Sequence, residues 1–395
     1  MGGFAEKNGR AGSPLPADSL AETAWPMVRL GDVCEVRAGA THHGIMSKTG
    51  KYPAYGSGGY ICQVSEYRCP ANTVTVGRKG TLDKPLLIEE PFWNIDTCFG
   101  VIPSGKVNPR YLWRFCQSFD FYALVPTIGR PSTNSDAIKE ILLPLPPLSV
   151  QREIVERLEK ELGEAEKVAA GFRRIAEKAE AEFKAELDET FKALEDDVSR
   201  GGAETRRVRL GDVCEMSLGK MLDRNKNKGK ERPYLRNVNV RWGAFLLNDL
   251  LEMRFEEDEL ERYSIKKGDL VVCEGGEPGR CAIWQENCPI LFQKALHRLR
   301  TSSKLSAEYL FYIFKLYAQD GTFKRYHSGT TIMHLTGQVL REIEIPLPPL
   351  SAQHTIVSQL DAARERCNKI KAEAEKGLKA AENLRKAILK EAFEQ

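Results

Sequence analysis

The sequence lacks the short motifs that many enzymes and metalloproteins carry. Its ten cysteines include no CxxC pair, and its six histidines form no HExxH arrangement, so neither residue type predicts a metal site. No glycine-rich stretch is followed by lysine at the spacing of a Walker A motif, which argues against a P-loop nucleotide site. We therefore expect reduced thiols and no metal bound by this chain.

Long hydrophobic runs are also missing. No stretch reaches the ~20 apolar residues that a membrane-spanning helix needs, and the first residues contain no apolar signal-peptide core. These absences, together with unpaired cysteines, predict a cytoplasmic protein with no membrane partner. Residues 1–24 are rich in Gly, Ala and Ser, and we expect them to be a disordered leader.

The 395 residues are 42% hydrophobic and 29% charged, which is typical of a soluble protein with two or three domains. Charge is unevenly distributed. Residues 25–148, called the first head, have 13 Lys and Arg against 10 Asp and Glu, and residues 206–350, the second head, have 24 against 19. Residues 149–205 are acidic, with 10 against 16. Basic heads suit a DNA-binding surface, although the excess is modest.

Two phrases occur twice in the chain. Val28–Glu35 returns as Val208–Glu215, and the proline-rich phrase Pro144–Gln151 returns as Pro346–Gln353. The chain is therefore predicted to be two copies of one unit. In each copy a short strand, a proline-fixed turn and a long helix should follow one another, because proline suits such a junction better than an element interior.

Ser149 and Ser351 stand where the long helices should begin, and we expect their hydroxyls to cap the first turns. The seam then follows alternating steps of four and three residues, which is typical of a coiled coil. Its predicted positions are Leu158, Leu162, Ala165, Ala169, Phe172, Ala176, Ala179, Phe183, Leu187, Phe191 and Leu194, and then Ile356, Leu360, Ala363, Cys367, Ile370, Ala374, Gly377, Ala381, Leu384 and Ile388.

Two similar seams in one chain most simply pair with each other, antiparallel; a homodimeric coiled coil is the alternative. About 37 residues of seam correspond to about 55 Å, so the pair would act as a ruler between the heads. The predicted order is a leader over 1–24, the first head over 25–148, a central helix over 149–205, the second head over 206–350, and a C-terminal helix over 351–395 that pairs with the central one.

Candidate DNA contacts in the first head lie on three loops. Glycine-rich loops allow close approach, hydroxyls and phenols can bond to DNA, and cations on a strand tip can reach phosphates or guanine edges. An ordinary hairpin and a solvated turn are the structural alternatives. The candidates are Tyr55, Ser57 and Tyr60, then Arg78, Lys79 and Thr81 after a strand over 73–76, and Arg130 in a later polar loop.

The second head carries the strongest basic stretch, in which Asn residues alternate with Lys and Arg. Lysine suits phosphate binding, and Arg and Asn can read guanine and adenine, while a solvated loop is the alternative. The candidates here are Lys220, Arg224, Lys226, Lys228, Arg232 and Arg236, then Arg280 in the loop 274–280 that matches 77–81, and Lys324 and Arg325 in the loop that matches 127–134.

The duplicated phrases, their order and the helices that follow them resemble the specificity subunit of a Type I restriction–modification system, from Trp25 to Gln395. The resemblance implies an α+β fold, with two α/β target recognition domains in pseudo-twofold repeat, separated by two long antiparallel coiled-coil α-helices. Each domain would read one half of a split double-stranded DNA target. The helices would recruit two modification (methyltransferase) subunits and, where present, restriction subunits.

The same resemblance implies a non-catalytic chain. The Asn/Asp-Pro-Pro-Tyr/Phe tetrapeptide that adenine methyltransferases place around a flipped base is absent from the sequence. We expect this chain to bind no cofactor, with S-adenosylmethionine, ATP and Mg²⁺ on partner subunits. The alternative function is a coiled-coil scaffold whose heads bind protein; a catalytic DNA methyltransferase is a third and weaker hypothesis.

Overall fold

The structure is a computed structural model that describes residues 25–125, 132–201, 205–221, 223, 225–326 and 334–394. The predicted leader over 1–24 lies outside the described residues. Two compact units are formed: the first comprises 1–172 with 375–395, and the second comprises 173–374. Each unit thus combines one head with part of each long helix. Among the described residues no helix is apolar and long enough to cross a membrane.

The first repeat alternates short strands and helices before the first long helix. Its elements are β1 Met27–Arg29, α1 Leu30–Val33, β2 Cys34–Ala38, β3 Tyr52–Gly56, β4 Gly59–Val64, β5 Thr73–Gly77, β6 Leu86–Ile88, β7 Trp93–Asn94, β8 Cys98–Pro103, α2 Pro109–Ser118, a 3₁₀ turn Phe121–Leu124, α3 Ser135–Lys139, β9 Leu142–Pro144 and α4 Leu148–Ser199.

The second repeat follows the same order with extra strands. Its elements are β10 Arg206–Arg209, α5 Leu210–Val213, β11 Cys214–Leu218, β12 Lys230–Leu235, β13 Val240–Arg241, β14 Ala244–Phe245, β15 Leu251–Phe255, β16 Ser264–Ile265, β17 Leu270–Cys273, β18 Cys281–Ile283, β19 Ile290–Phe292, β20 Leu296–Thr301, α6 Ala307–Gln319, α7 Gly337–Glu342, β21 Glu344–Leu347 and α8 Leu350–Glu391. Short 3₁₀ turns cover Asn237–Asn239, Glu257–Glu259 and Thr322–Tyr326.

Matching sheets occur in the two heads. A four-stranded sheet has the order β2-β8-β5-β6 in the first head and β11-β20-β17-β18 in the second. A smaller sheet has the order β4-β3-β7 in the first head, and its counterpart is β15-β12-β19 with β16 added at the edge. In both smaller sheets the pairing of the central strand with β7 or β19 is parallel. The predicted repeat is therefore present in strand order as well as in sequence.

The duplicated phrases form one joint in each unit. In the first unit β1 pairs antiparallel with β9, and the Leu30 N–H donates to the Ile141 carbonyl oxygen. In the second unit β10 pairs antiparallel with β21, and the Leu210 N–H donates to the Ile343 carbonyl. The opening phrase and the proline phrase are thus bonded together, which explains why both are repeated.

A buried glutamine fixes each proline turn. Gln151 is fully buried; its side-chain oxygen accepts from the Asn108 N–H at 2.8 Å, and its amide donates to the carbonyls of Lys106 (3.0 Å) and Pro146 (2.8 Å). The Asn108 side chain in turn caps α2 by accepting from the N–H groups of Arg110 and Tyr111. The turn, the helix cap and the start of α4 are therefore held by one side chain.

The long helices begin one residue earlier than predicted, at Leu148 and Leu350. The Pro147 carbonyl accepts the first helical hydrogen bond from the Gln151 N–H, so Ser149 lies inside the first turn and not at the cap position. The amphipathic stretch predicted over 108–124 is also divided, because α2 ends at Ser118 and Asp120 caps a separate 3₁₀ turn.

The long helices pack antiparallel within each unit. In the second unit Lys371 pairs with Glu180 at 2.8 Å and Arg366 with Glu186 at 2.9 Å, so α8 runs against the direction of α4. In the first unit a Cβ on Gly377 would lie 2.3 Å from the Phe172 ring, so glycine permits close packing there. Most predicted seam residues are buried or half-buried.

Two predicted seam positions are wrong. Ile370 is 38% exposed and Leu384 is 51% exposed. Near its end α8 buries Leu389 and Ala392 in the core of the first head, and Phe393 packs against Tyr111 at 5.2 Å between ring centroids. The helix is oriented there by the head as well as by α4, so a strict seam spacing no longer identifies its buried face.

Candidate nucleic-acid interface

Three segments meet at one end of the first head, which we call the first tip: the turn between β3 and β4, the loop Gly77–Thr81 after β5, and residues Ser132 and Thr133 before α3. The Ser57 hydroxyl donates to the Lys79 carbonyl at 2.9 Å. The Thr133 N–H donates to the Arg78 carbonyl at 2.9 Å, and Lys79 forms a β-bridge with Ser132. Residues far apart in sequence are thus fixed around one loop.

The loop at the first tip needs its first glycine. A Cβ on Gly77 would lie 2.2 Å from the Thr81 carbonyl oxygen, and Gly80 has φ +80°, which L side chains rarely adopt. The loop therefore closes tightly on itself. Close backbone approach of this kind is useful where a chain must come near a nucleic-acid backbone.

The predicted contact residues of the first tip differ in exposure. Lys79 is exposed and Tyr60 is 55% exposed, so both can reach a ligand. Ser57 and Thr81 are half-buried, and the half-buried Arg78 lies with its guanidinium 5.8 Å from the Phe99 ring centroid. Lys79, Ser57 and Arg78 are therefore brought together with an aromatic neighbour.

Tyr55 has a supporting position at this tip. It is half-buried, and its ring packs edge-on against Phe92 at 5.7 Å and lies 6.0 Å from the Tyr60 ring. Burial raises the pKa of its phenol, and the negative charge of Glu90 adds to this effect. The Tyr55 ring thus packs against Tyr60, the more exposed of the two rings. Arg130 lies outside the described residues.

The second head has an equivalent second tip, formed by Asn237, the loop Glu274–Arg280 and residues His334 and Leu335. The Asn237 amide donates to the Gly275 carbonyl at 2.8 Å, as Ser57 does to Lys79. The Leu335 N–H donates to the Glu274 carbonyl at 2.8 Å, as Thr133 does to Arg78. Sheet register agrees, because Gly77 lies opposite Cys98 and Cys273 lies opposite Leu296.

The two tips share a backbone design and differ in chemistry. Glu274 occupies the place of Arg78, and Gly275 occupies the place of Lys79. Arg78 and Glu274 also make equivalent backbone bonds. The Arg78 N–H donates to the Thr97 carbonyl just before β8 at 2.8 Å, and the Glu274 N–H donates to the Ala295 carbonyl just before β20 at 2.9 Å. The two tips thus have equivalent backbone bonds and different side chains at the same loop positions.

Arg280 is turned into its own loop. Its side chain is 14% exposed, and its guanidinium donates to Glu277 at 3.0 Å and to the Asn237 carbonyl at 3.1 Å. Glu277 also accepts from the Trp242 indole at 2.6 Å. Gly279, with φ +88°, lets the chain turn back so that the guanidinium points inward. Arg280 therefore fixes the loop and does not lie on its surface.

The basic stretch of the second head is largely paired with carboxylates from later in the chain. Lys220 is 7% exposed and its ammonium binds Glu259 and the Arg254 carbonyl, so it is placed in the interior. Arg232 pairs with Glu257 at 2.9 Å. The pKa of Glu257 is lowered, chiefly by the hydrogen bond from Arg232. Arg232 thus ties β12, and Lys220 ties the segment after β11, to the 3₁₀ turn that follows β15.

Fewer cations of this stretch remain accessible. Lys226 and Lys228 are exposed, with Lys226 3.6 Å from Asp223. Arg236 is 21% exposed and pairs with Asp249 at 2.8 Å, and it lines a groove of about 700 Å³ with Asn227. Arg224 lies outside the described residues.

Lys324 and Arg325 lie together on the 3₁₀ turn Thr322–Tyr326, and both are exposed. Buried Phe323, the residue directly before them, anchors the turn to α6 through a ring contact with Phe314 at 5.3 Å. Arg325 lines a groove that also includes Asp188 and Glu195 of α4, so its surroundings are acidic. Lys324 is the better placed of the two for phosphate.

Asn237 and Ser132 belong to polar stretches that the sequence marks out, but neither they nor His334 were selected as contacts, and all three lie in the tips. Their signal was the repeat itself: Asn237 follows β12 as Ser57 follows β3. Among the described residues no group of three or more His, Cys, Asp or Glu is arranged to hold a metal ion. The ten cysteines are free, and eight of them are buried.

The sequence matches the family model of the Type I restriction modification DNA specificity domain twice, over residues 22–166 and 204–380. The chain belongs to this family. It is similar to the putative type I restriction enzyme specificity subunit of Haemophilus influenzae, with 25% identity over 341 residues that cover 82% of each chain. It also resembles the EcoBI specificity subunit of Escherichia coli, with 22% identity covering 85% of this chain and 76% of that one.

A solved structure has the same fold. Its title reads "structural basis underlying complex assembly and conformational transition of the type I R-M system", and the match has a TM-score of 0.70 at 20% identity, covering 97% of this chain and 99% of the other. The predicted α+β fold with a repeated domain and coiled-coil helices is confirmed.

Proposed function

We propose that this chain is the DNA-reading subunit of a Type I restriction–modification complex. Each tip reads one half of a split double-stranded target, and the bases between the halves are not read. The chain carries out no chemistry itself; it directs adenine methylation, or cleavage, by partner subunits. It acts in the cytoplasm.

The observation that carries this proposal is the pair of equivalent tips. Each brings three separate segments around one strand-end loop, with the side chain of Ser57 or Asn237 bonded to a loop carbonyl. The loop chemistry differs, with Arg78 and Lys79 in one tip and Glu274 and Gly275 in the other. A repeat that serves only as scaffold has no need to keep the loop geometry while changing the exposed groups. Two half-targets of different sequence do need this.

We choose the proposed DNA contacts from the cations that are accessible to solvent. For the first tip we propose Lys79 and Arg78, with Ser57, Tyr60 and Thr81 beside them. For the second head we propose Lys226, Lys228 and Lys324, with Arg236 at the groove. Lys220 and Arg280 act as structural cations in this proposal, because each is buried among acceptors of its own head.

The partners in this proposal are two modification subunits, one for each repeat, and restriction subunits where the system cleaves. The repetition of the whole unit supports one modification subunit for each repeat. S-adenosylmethionine would be bound by the modification subunits, and ATP and Mg²⁺ by restriction subunits. The carboxylates of α4 that point to solvent suit such partners better than they suit DNA.

The test is a methylation map. The chain is co-purified with modification subunits, a plasmid library is treated with S-adenosylmethionine, and N6-methyladenine is located by direct sequencing. The proposal predicts methylation in both halves of a split motif. Methylation within one contiguous motif, or no methylation that depends on this chain, would contradict it.

A further inference from the structure

A groove of about 510 Å³ lies on the first unit, between α2, the edge strand β6 and the long helices. Its lining includes Leu87 of β6, Trp113 and Arg114 of α2, Gly163 of α4, and Arg385 of α8. A Cβ on Gly163 would meet no atom within 4 Å, so the groove is open above the helix. An aromatic ring and the guanidinium groups of Arg110, Arg114 and Arg385 thus line an open space, together with three glutamate carboxylates.

The repeat shows what the equivalent place holds in the second unit. Tyr111 and Tyr309 correspond, because their hydroxyls donate to the carbonyls of Pro144 and Pro346. Phe393 packs on Tyr111 as Phe191 packs on Tyr309. The groove residues can be matched by their distance in sequence from these pairs and from the buried pair Gln151 and Gln353. Phe311 is then equivalent to Trp113, Arg364 to Leu162, and Phe183 to Arg385.

In the second unit the chain itself fills this place with the hairpin β13–β14. Trp242 at its turn lies 6.3 Å from the Phe311 ring, and the Lys315 ammonium lies 5.9 Å from the Trp242 ring and 5.2 Å from the Phe183 ring. The Gly243 N–H donates to the Cys281 carbonyl on the edge strand β18 at 3.0 Å. The hairpin is thus held by an aromatic ring, a cation and a strand edge.

The first unit has an aromatic ring and a strand-edge carbonyl equivalent to those that hold the hairpin, but no hairpin follows β3. The Pro85 carbonyl, equivalent to that of Cys281, accepts from the Trp113 indole at 3.0 Å. This bond holds Trp113 as a wall of the groove. β3 and its turn lead directly into β4, with no insertion that corresponds to β13–β14. Among the described residues of the first unit, no hairpin fills this groove as β13–β14 fills its counterpart.

Charge indicates the nature of that occupant. Arg110 at the rim is already paired with Glu89 at 3.1 Å and Glu159 at 2.9 Å. Arg114 stacks 4.2 Å from the Trp113 ring and donates to Gln117 at 2.9 Å, and among the described residues its Nε is buried without a hydrogen-bond partner. Arg385 is exposed.

The remaining carboxylate of the lining is Glu166, which has an interaction partner. Burial lowers the pKa of Arg114, and the neighbouring charges of Arg385 and Arg110 lower it further, against the effect of Glu159. An incoming carboxylate would relieve this repulsion.

We infer that this groove is a docking site for an acidic turn of a partner protein that presents one large aromatic ring. The ring would lie beside Trp113 and the Arg114 guanidinium, where Trp242 lies in the second repeat, and a carboxylate next to it would pair with Arg385. This goes beyond the proposed function, because the site occurs on one repeat only and would distinguish one partner subunit from the other.

A protein occupant is favoured over DNA by the position of the groove on the sheet. β6 runs antiparallel to β5, so Ile88 lies opposite Thr73, and Glu89 follows at the end of the sheet away from the loop Gly77–Thr81. The groove and the first tip are thus at opposite ends of β5.

The test uses the full chain and a fluorescent cyclic peptide that copies residues 239–247 with Arg241→Glu. We expect saturable binding by anisotropy. Gly163→Phe should weaken it at least about tenfold, because the new ring would occupy the groove, and Arg385→Glu should weaken it by a similar factor. Both positions are on helix surfaces, and replacing glycine inside a helix favours helix formation, so folding should persist.

Matched controls are Gly171→Phe, at another open glycine of α4, and Lys386→Glu, the charge reversal next to Arg385. Both should leave peptide affinity within about twofold. Absence of saturable binding, or equal loss in the controls, would overturn the inference. So would weaker DNA binding by Arg385→Glu alone, because this would assign the groove to the DNA surface. Failure of the methylation map with intact peptide binding would contradict the proposed function and leave this site standing.

Discussion

The side-chain oxygen of Gln353 lies 2.9 Å from the backbone nitrogen of Ser306 and accepts its hydrogen bond. The amide of the same side chain donates to the carbonyls of Lys304 at 2.9 Å and Pro348 at 2.8 Å. Gln151 makes the same three bonds in the first unit. The glutamine of the duplicated phrase thus links the start of a head helix to the start of a long helix by hydrogen bonds.

Replacing this glutamine by an apolar residue should be costly. Gln353→Leu leaves one N–H and two carbonyls buried without partners, so we expect a loss of about 2–4 kcal/mol in the free energy of unfolding. Denaturant titration would measure it. Gln359→Leu, at an exposed position of the same helix, is the control and should change stability by less than about 0.5 kcal/mol. Equal effects would show that the three bonds are not important.

Removing the cations of the first tip should weaken DNA binding. Arg78→Ala with Lys79→Ala should reduce affinity for duplexes and lower the slope of log affinity against log salt by roughly 2, because two phosphate contacts would be lost. Lys84→Ala, an exposed cation outside the tip, should leave the slope unchanged. An unchanged slope in the double variant would remove both residues from the proposed contact set.

The Asn237 amide should matter for specificity and not for general affinity. Asn237→Ala removes the bond to the Gly275 carbonyl, so the second loop should lose its fixed shape. We expect the ratio of specific to non-specific binding to fall by roughly three- to tenfold, with non-specific affinity unchanged. Asn225→Ala, an exposed asparagine of the same head, is the comparison. Loss of non-specific binding to the same degree would argue against a positioning role.

His297 should make the second head sensitive to acid. It is 1% exposed, and burial lowers the pKa of its imidazole. As the pH falls below the ordinary value of about 6.5, the unfolded chain binds the proton first, so stability is lost until the lowered folded pKa is passed. Register places Phe99 of the first head at the equivalent position, opposite Ala38 and Val76 as His297 is opposite Leu218 and Val272.

The substitution His297→Phe therefore copies the first repeat. We expect the fall in melting temperature between about pH 7.5 and 5.5 to be smaller in this variant than in the wild type. His354→Gln, at an exposed position, should behave like the wild type. A variant as acid-sensitive as the wild type would show that other groups carry the pH dependence.

The repeated parts of the fold could be predicted from sequence because the same local sequence occurs twice. Val28–Glu35 and Pro144–Gln151 meet in one joint in each unit, and most of the seam is buried as the spacing indicates. Leu384 was wrongly placed because the spacing alone does not say where the end of α8 packs against a head. The hairpin β13–β14 was not foreseen, since its strands have two residues each.

The site was harder to predict because a sequence does not show which charged side chains form ion pairs in the fold. Lys220 and Arg232 belong to a strongly basic stretch, yet Glu259 and Glu257 neutralise them from the 3₁₀ turn that follows β15. Arg280 was expected on a loop surface, and the positive φ of Gly279 turns it inward. Lys79 and Ser57 could be selected from loop chemistry, but their mutual bond depends on the fold.

The most direct test of the account is selection of bound duplexes from a random library at moderate salt, with the wild type and with the variant Arg78→Ala, Lys79→Ala. We expect a split motif with a fixed unspecified gap for the wild type, and loss of sequence information in only one half for the variant. A single contiguous motif, or equal loss in both halves, would contradict the claim that two heads read DNA independently.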